Sequence, residues 1–532
     1  MESILDGIVA APRNAPEPID GVPDRNRRRP SAGGISTRGL AGLLLGLMGV
    51  MQALLLLFLG RPLLAVPVLV VGLVPGCLAA FTGLAGNGRK VIVGWRTIAA
   101  CLAVALTVFA LGGEGRFVYA NTDWQVRNAV LLDLVRDPWP FAYAVGPSTE
   151  ILRAPLGMYL APALIGKLAG FRAAELALLI QNTILLGTVL ALGSTLFDSV
   201  RKRWIAAGVF FGFSGMDIVG RLITHGSPWL HLEQWAGIQF SANLTQAFWV
   251  PQHALAGWIF ATFYMLWREG RMPAWPALAA VPLSALLSPL AMLGTIPFAA
   301  HIGVELLAKR RLRWFDFVLP AAGLIAAAPA LLYLTAGSGS VGSRPQPVQL
   351  HVYVLFIFLE IGFYVFALWR VRERTRFGKA TGALVVAMLL AVPLVEVGQS
   401  VDFVMRASIP ALAILSIMVA EPLIHPAAVG DTNWKMARKW AIIAFSVGLA
   451  TPAGEVARAL LLPRAPLQLC GYYGVVPNGY ATYVAPIERL PALVQPSGVA
   501  RVVPAEPRRC WDGPWPDAAR SDGWPPLPSK GT

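Results

Sequence analysis

Residues 40–59 read LAGLLLGLMGVMQALLLLFL, a stretch without a single charge. A helix of about 20 residues rises roughly 30 Å, the thickness of a bilayer's hydrocarbon core, and it satisfies its backbone N–H and C=O groups internally. A helix that is apolar on every side is buried in a large core or crosses a membrane. Apolar runs of similar character recur at 62–82, 94–112, 174–196, 203–220, 250–267, 315–335, 351–369, 380–397, 407–424 and 440–461. Residues 274–307 form one longer stretch broken at Ser288–Pro289, where proline predicts two short helices joined by a tight turn. The expected fold class is therefore all-α, a polytopic transmembrane helical protein of about 13 spans.

Composition points the same way. Of 532 residues, 56% are hydrophobic and 14% charged, against about 25% charged in a soluble domain. The net charge of +15 raises the question of nucleic acid. That partner is excluded, because the basic residues sit in short clusters between apolar runs, as topology signals do. Arg25, Arg27, Arg28 and Arg29 place the N-terminus in the cytoplasm. Alternation then brings Arg89–Lys90, Arg201–Lys202–Arg203, Arg268, Lys309–Arg310–Arg311, the run from Arg370 to Lys379, and Lys435 to Lys439 to the same side. More than half of the 44 Lys and Arg lie there. The C-terminal tail falls outside. The expected location is a bacterial cytoplasmic (inner) membrane with a periplasmic tail, and membrane lipids are the surrounding partner.

One segment resists this alternation. Residues 152–170 are apolar enough to span, but counting them would put Arg201–Lys202–Arg203 outside. With Arg153, Pro155, Pro162 and Lys167, they read as a helix lying in or dipping into the outer interface. The organisation is then a disordered cytoplasmic head (1–38), two N-terminal transmembrane helices (39–93), a transmembrane module (94–462) and an outer Pro-rich tail (463–532). The module carries outer loops at 113–172, 221–249, 336–349 and 396–406. No cleavable signal peptide is evident before the first apolar run.

The polar chemistry gathers in those loops. After Asp123 the apolar positions Val126, Val130 and Leu134 recur at helical spacing, giving an amphipathic interfacial helix. Asn121, Thr122 or Asp123 can cap it, and Asp123 and Arg127, four apart, share a face. Asp123 is thus either a cap with a surface ion pair or a carboxylate acting as base or metal ligand. The second loop holds His225, His231, Glu233, Gln234, Trp235, Gln239, Asn243, Gln246 and Trp249, followed by Gln252 and His253. Its Trp residues serve as interfacial anchors or as platforms for a carbohydrate. The spacing of His225, His231 and Glu233 matches no established metal motif.

Arg406, four after Asp402, is either a snorkelling interfacial residue or an anion clamp at headgroup depth. Glu360 falls within an apolar run, where an unpaired carboxylate costs about 3 kcal/mol and needs a cavity or partner. Cys77 and Cys101 lie in apolar runs as small core residues. Cys470 and Cys510 lie in the tail, as a disulfide or as two free thiols. With no P-loop, dinucleotide fingerprint, GxSxG, HExxH or paired CxxC, no site for ATP, NAD or a cytoplasmic nucleotide sugar is visible. No cofactor is required by any motif, no metal site is assigned, and a divalent cation is left open.

Four stretches carry a family resemblance: NTDWQVRNAVLLDLVRDPWP (121–140), RAPLGMYLAPALIGKLAGF (153–171), WVPQHALAGW (249–258) and DFVMRASIPAL (402–412). With the long acidic loop, they resemble the GT-C superfamily of membrane glycosyltransferases, over roughly residues 94–424. That superfamily includes protein O-mannosyltransferases, oligosaccharyltransferases, arabinosyltransferases and the lipid A aminoarabinose transferase. Two spans precede the family-like module here, whereas the family places its acidic loop after its first span.

The resemblance implies transfer of a sugar from a polyprenyl-phosphate donor to a glycan, lipid or protein acceptor at the periplasmic face. It implies Asp123 as the catalytic carboxylate and Arg406 as the residue holding the carrier phosphate. His253, Arg127, Glu233 and Gln252 join Arg406 as expected substrate-binding residues, and Asp133 and Asp137 stand next in line to Asp123, although they read more simply as the polar face and the end of the same helix. The rival readings are a transporter or flippase of a lipid-linked glycan and a non-enzymatic cell-envelope assembly protein.

Overall fold

The structure, a computed structural model, describes residues 33–81, 91–226, 231–340, 342–398, 401–504 and 509–515. Arg25, Arg27, Arg28, Arg29, Arg89 and Lys90, which carry part of the orientation argument, lie outside the described residues, as does the end of the tail.

Helices Thr37–Phe58 and Pro62–Phe81 pack as a hairpin along most of their length. Small residues allow this approach. A Cβ on Gly49 would stand 2.3 Å from the carbonyl oxygen of Gly72. Gly at such a crossing lets two backbones touch where lipid supplies no hydrophobic drive. Buried Gln52 then donates to the Leu283 carbonyl at 3.0 Å, tying the hairpin to helix Trp275–Leu283. The head expected to be disordered as far as residue 38 is ordered at its end. Gly34–Ser36 pairs antiparallel with Ile92–Gly94, and Ser36 caps the first helix by accepting from Gly39 N.

Among the described residues, eight helices are long and apolar enough to cross a membrane: Thr37–Phe58, Pro62–Phe81, Phe171–Ser194, Val200–His225, Pro289–Ala308, Phe315–Thr335, Leu350–Arg370 and Thr432–Leu461. The chain is thus mostly helical, with the multi-pass character of a membrane protein. The other expected spans fall on shorter or more polar helices: Trp95–Leu111, Pro251–Arg268, Trp275–Leu283, Lys379–Ala391 and Ile409–Ile424. The Ser288–Pro289 break behaves as proline dictates. Helix Trp275–Leu283 ends in a tight turn and Pro289–Ala308 begins, capped by the Ser288 hydroxyl on Ala291 N.

The resisting segment contains only a ten-residue helix, Leu160–Ala169. At about 15 Å it is half the length of a span. It packs between helices Asp123–Arg136 and Phe171–Ser194.

Two corrections concern the long loop. The all-α expectation missed a four-stranded sheet. Phe141–Val145 and Ser148–Leu152 form a hairpin, Val484–Pro486 adds antiparallel to Ser148–Leu152, and Ala500–Val502 adds parallel to Phe141–Val145. Loop and tail are more than 300 residues apart, so no local periodicity announces their pairing.

The helix Asp123–Arg136 is also not an interfacial helix with a wet face, because the tail covers it and most of its residues are buried. Asp133, expected on the polar face, is fully buried. Its carboxylate accepts from the Tyr143 hydroxyl at 2.7 Å, the Tyr472 backbone N–H at 2.7 Å and Arg136 at 2.9 Å. Gly471 is required beside it, since a Cβ there would lie 1.9 Å from an Asp133 oxygen. Cys470 and Cys510 are disulfide-bonded, with Cα atoms 4.7 Å apart, so the described tail is a folded appendage.

Candidate functional site

At the Asp123 end of the bundle lies a cavity of about 460 Å³, bounded by helix Asp123–Arg136, the loop segment 231–250, helix Asp402–Ala407, helix Ala450–Leu461 and the tail around Tyr483. Asp123, Glu233 and Arg406 all line it.

Capping is not the role of Asp123. The Asn121 side chain accepts from Asp123 N at 3.1 Å, and no side chain of Thr122 caps the helix. Oδ2 of Asp123 accepts from Arg127 at 3.0 Å, and among the described residues nothing engages Oδ1. The Asp123 side chain is 23% exposed and that of Arg127 only 2%. The carboxylate therefore faces the cavity while its cation is enclosed behind it.

A polar chain continues inward from this pair. Arg127 donates to Gln252 Oε1 at 2.7 Å, Gln252 Nε2 lies 3.5 Å from His253 Nε2, and His253 Nδ1 lies 2.7 Å from the Ser288 hydroxyl. Arg127, Gln252 and His253 are all buried and none lines the cavity. They stand behind Asp123. A single line of contacts thus joins residues expected to bind substrate, with Arg127 against the carboxylate and Gln252 and His253 behind Arg127.

Glu233 is buried and held by the Ala242 N–H at 2.8 Å and the Gln239 amide at 2.7 Å. Burial, with the Asp217 carboxylate nearby, pushes its carboxyl well above the usual carboxylate range. His231 and Trp249 form one wall, ring centroids 4.8 Å apart. Arg458 joins them, its guanidinium 2.7 Å from His231 Nδ1 and in contact with Glu455, which accepts from Trp249 Nε1 at 3.1 Å. Asn243 and Gln246, by contrast, donate to the Phe210 and Ser241 carbonyls and hold the loop together. Trp235 donates to Glu360 at 3.2 Å, giving that carboxylate a partner away from the cavity. His225 is exposed beside Thr224.

Arg406 pairs with Asp402 one turn earlier, its guanidinium mostly enclosed and its Nε without a hydrogen-bond partner among the described residues. Both residues face the cavity. Tyr483, which the sequence did not single out, lies within electrostatic reach of Asp123, Arg127, Asp402 and Arg406. It is held in place because its carbonyl accepts from Arg153 N at 2.7 Å and strand Val484–Pro486 follows directly.

The donor set does not fit a divalent cation. Asp123 and Asp402 each carry an arginine ion pair, so a cation between them would meet Arg127 and Arg406. Among the described residues, no three His, Cys, Asp or Glu side chains converge as a metal-binding group. Comparison of the chain with protein-family models, curated proteins and solved structures finds no match.

Proposed function

We propose that the chain is a membrane glycosyltransferase of the GT-C kind, moving a sugar from a polyprenyl-phosphate carrier to an acceptor at the periplasmic face. The observation that carries this reading is the meeting of Asp123 and Arg406 in one cavity from positions nearly 300 residues apart in the chain. The reaction asks for two groups at one place. A base takes the proton of the acceptor as its oxygen or nitrogen attacks the anomeric carbon. A cation takes the charge that develops as the bond from that carbon to the phosphate oxygen breaks. Asp123 supplies a cavity-facing carboxylate kept in place by Arg127. Arg406 supplies a guanidinium, with Tyr483 beside it. The leaving polyprenyl phosphate departs as its anion, and the proton resides on Asp123 until water takes it.

On this reading the 460 Å³ cavity is sized for a sugar and its acceptor group, and Trp249 provides an aromatic wall. The about 13 spans, cytoplasmic N-terminus and periplasmic tail belong to the same proposal. A disulfide-bonded tail supports an oxidising compartment at the cavity end. The transporter reading draws on buried Glu360 and Asp217, but neither lines the cavity.

The deciding experiment reconstitutes the protein in liposomes with a radiolabelled sugar on a polyprenyl phosphate. Release of the free carrier and labelling of an acceptor support the assignment. Movement of intact labelled carrier across the bilayer, with the sugar still attached, would replace it with a flippase.

A further inference from the structure

The end of the bundle remote from Asp123 holds a second cavity of about 260 Å³, where the start of helix Trp95–Leu111, the end of Phe171–Ser194 and the start of Val200–Gly212 meet. Its walls are of two kinds. Arg96 and Arg203 stand at its rim, and the interior is small or apolar, with Ala100, Val104 and Gly193 among its lining. A shallower groove of about 420 Å³ shares Ala100, Val104 and Trp204 with it and runs on along the same helix to Val108.

The dimensions say what kind of molecule fits. From Arg96 to Val108 is twelve residues of one helix, about 18 Å. That is close to half of a hydrocarbon core about 30 Å thick, and so close to one leaflet. A lipid lying along this length of helix would bring its headgroup to the end where the two arginines stand. Among the described residues neither Arg96 nor Arg203 has a carboxylate partner; Arg203 donates only to the Phe197 carbonyl, at 3.2 Å. Trp204, which lines the same cavity, is exposed, as an interfacial tryptophan is. Gly193 adds a separate sign of vacant space. A Cβ built there meets nothing within 4 Å, although an ordinary residue would suit the helix better.

We propose that this groove binds an anionic phospholipid, one acyl chain lying along helix Trp95–Leu111 and the phosphate resting between Arg96 and Arg203. A neutral lipid would fill the groove but leave two guanidinium groups without an anion. A free phosphate would meet the arginines and leave the groove unused. Basic pockets between transmembrane helices recognise acidic headgroups in this way.

The test uses the intact protein in mild detergent, exchanged into micelles holding equal amounts of phosphatidylglycerol and phosphatidylcholine and read by native mass spectrometry. One phosphatidylglycerol retained per chain is expected. Arg96→Gln with Arg203→Gln should weaken retention about 25-fold, from roughly fivefold for each arginine near an anionic surface. Gly193→Phe, which points a ring into vacant space, should block the chain without touching either charge. A thermal melt of each variant accompanies the measurement. Equal retention of phosphatidylcholine would overturn the proposal. So would displacement of phosphatidylglycerol by an equal amount of polyprenyl phosphate, or folded variants that keep the lipid as well as the parent does.

Discussion

Asp123 and Arg127 form an ion pair of 3.0 Å in which the carboxylate is 23% exposed and the guanidinium 2%. This asymmetry separates their roles. A buried arginine that loses its counter-charge costs several kcal/mol, while a carboxylate open to a cavity can exchange a proton with what enters it. Asp123→Asn keeps an oxygen for Arg127 and leaves the cap from Asn121 intact. It should fold, with a melting temperature lowered by the loss of the Arg127 counter-charge, and lose about 10²-fold or more in turnover. Sugar transfer at the parental rate by a folded Asp123→Asn protein would remove the base assignment.

Arg406 is paired with Asp402, so an incoming phosphate must share or displace that carboxylate. Arg406→Ala should raise the KM for the lipid-linked donor about 10- to 100-fold, the range of a lost charge-assisted bond. Arg406→Lys should recover part of this, since Lys keeps the charge and loses the planar fork. A purely packing role predicts the opposite pattern, an unchanged KM with a lower melting temperature. Measuring both for the two variants distinguishes them.

Asp133 gives the tail a pH dependence. Burial pushes its carboxyl up to about 6 from an ordinary 3.8, against the pull of Tyr143, the Tyr472 N–H and Arg136. A carboxyl with a raised folded pKa contributes stability that is full below the ordinary value and lost as pH rises through about 6. The contribution is about 3 kcal/mol at most, at about 1.4 kcal/mol per unit. Protease sensitivity of the tail should therefore rise between about pH 4 and 6, and Asp133→Asn should flatten that rise. An identical profile in the variant would assign the effect to another group.

The Cys470–Cys510 bond closes a separation of 40 residues, worth about 4 kcal/mol in the chain-entropy account. Alkylation of the unfolded, unreduced protein should label Cys77 and Cys101 alone. Reduction should add two further sites and loosen the tail to proteolysis. Labelling of all four thiols before reduction would count against the bond.

Orientation is open to direct measurement. A phosphatase fused after Pro463 should be active and one fused after Lys379 silent, with a fluorescent protein giving the reverse. Phosphatase activity at Lys379 would put the Asp123 cavity on the cytoplasmic side and exclude a periplasmic reaction.

Much of the architecture was legible along the chain because lipid imposes a local rule. A span must be apolar for its own length, so runs such as 40–59 and 315–335 announce themselves without reference to any neighbour. The Ser288–Pro289 break and the Asp123–Arg127 spacing are likewise local, fixed by proline geometry and by helical pitch. Tertiary structure decided what depends on distant partners.

The fate of Asp133 is one example: its sequence neighbourhood reads as a polar face, and only the arrival of Tyr472 turns it into a buried anchor. The sheet joining 141–152 to 484–502 is another, since four- or five-residue strands carry too little pattern to be paired across the chain. The cavity is the third. Asp123, Glu233 and Arg406 could each be singled out along the chain, but nothing local said that they meet, and Tyr483 did not stand out at all. Their meeting depends on how helices pack, which is set by small residues at crossings and by buried polar contacts rather than by the identity of the residues that meet.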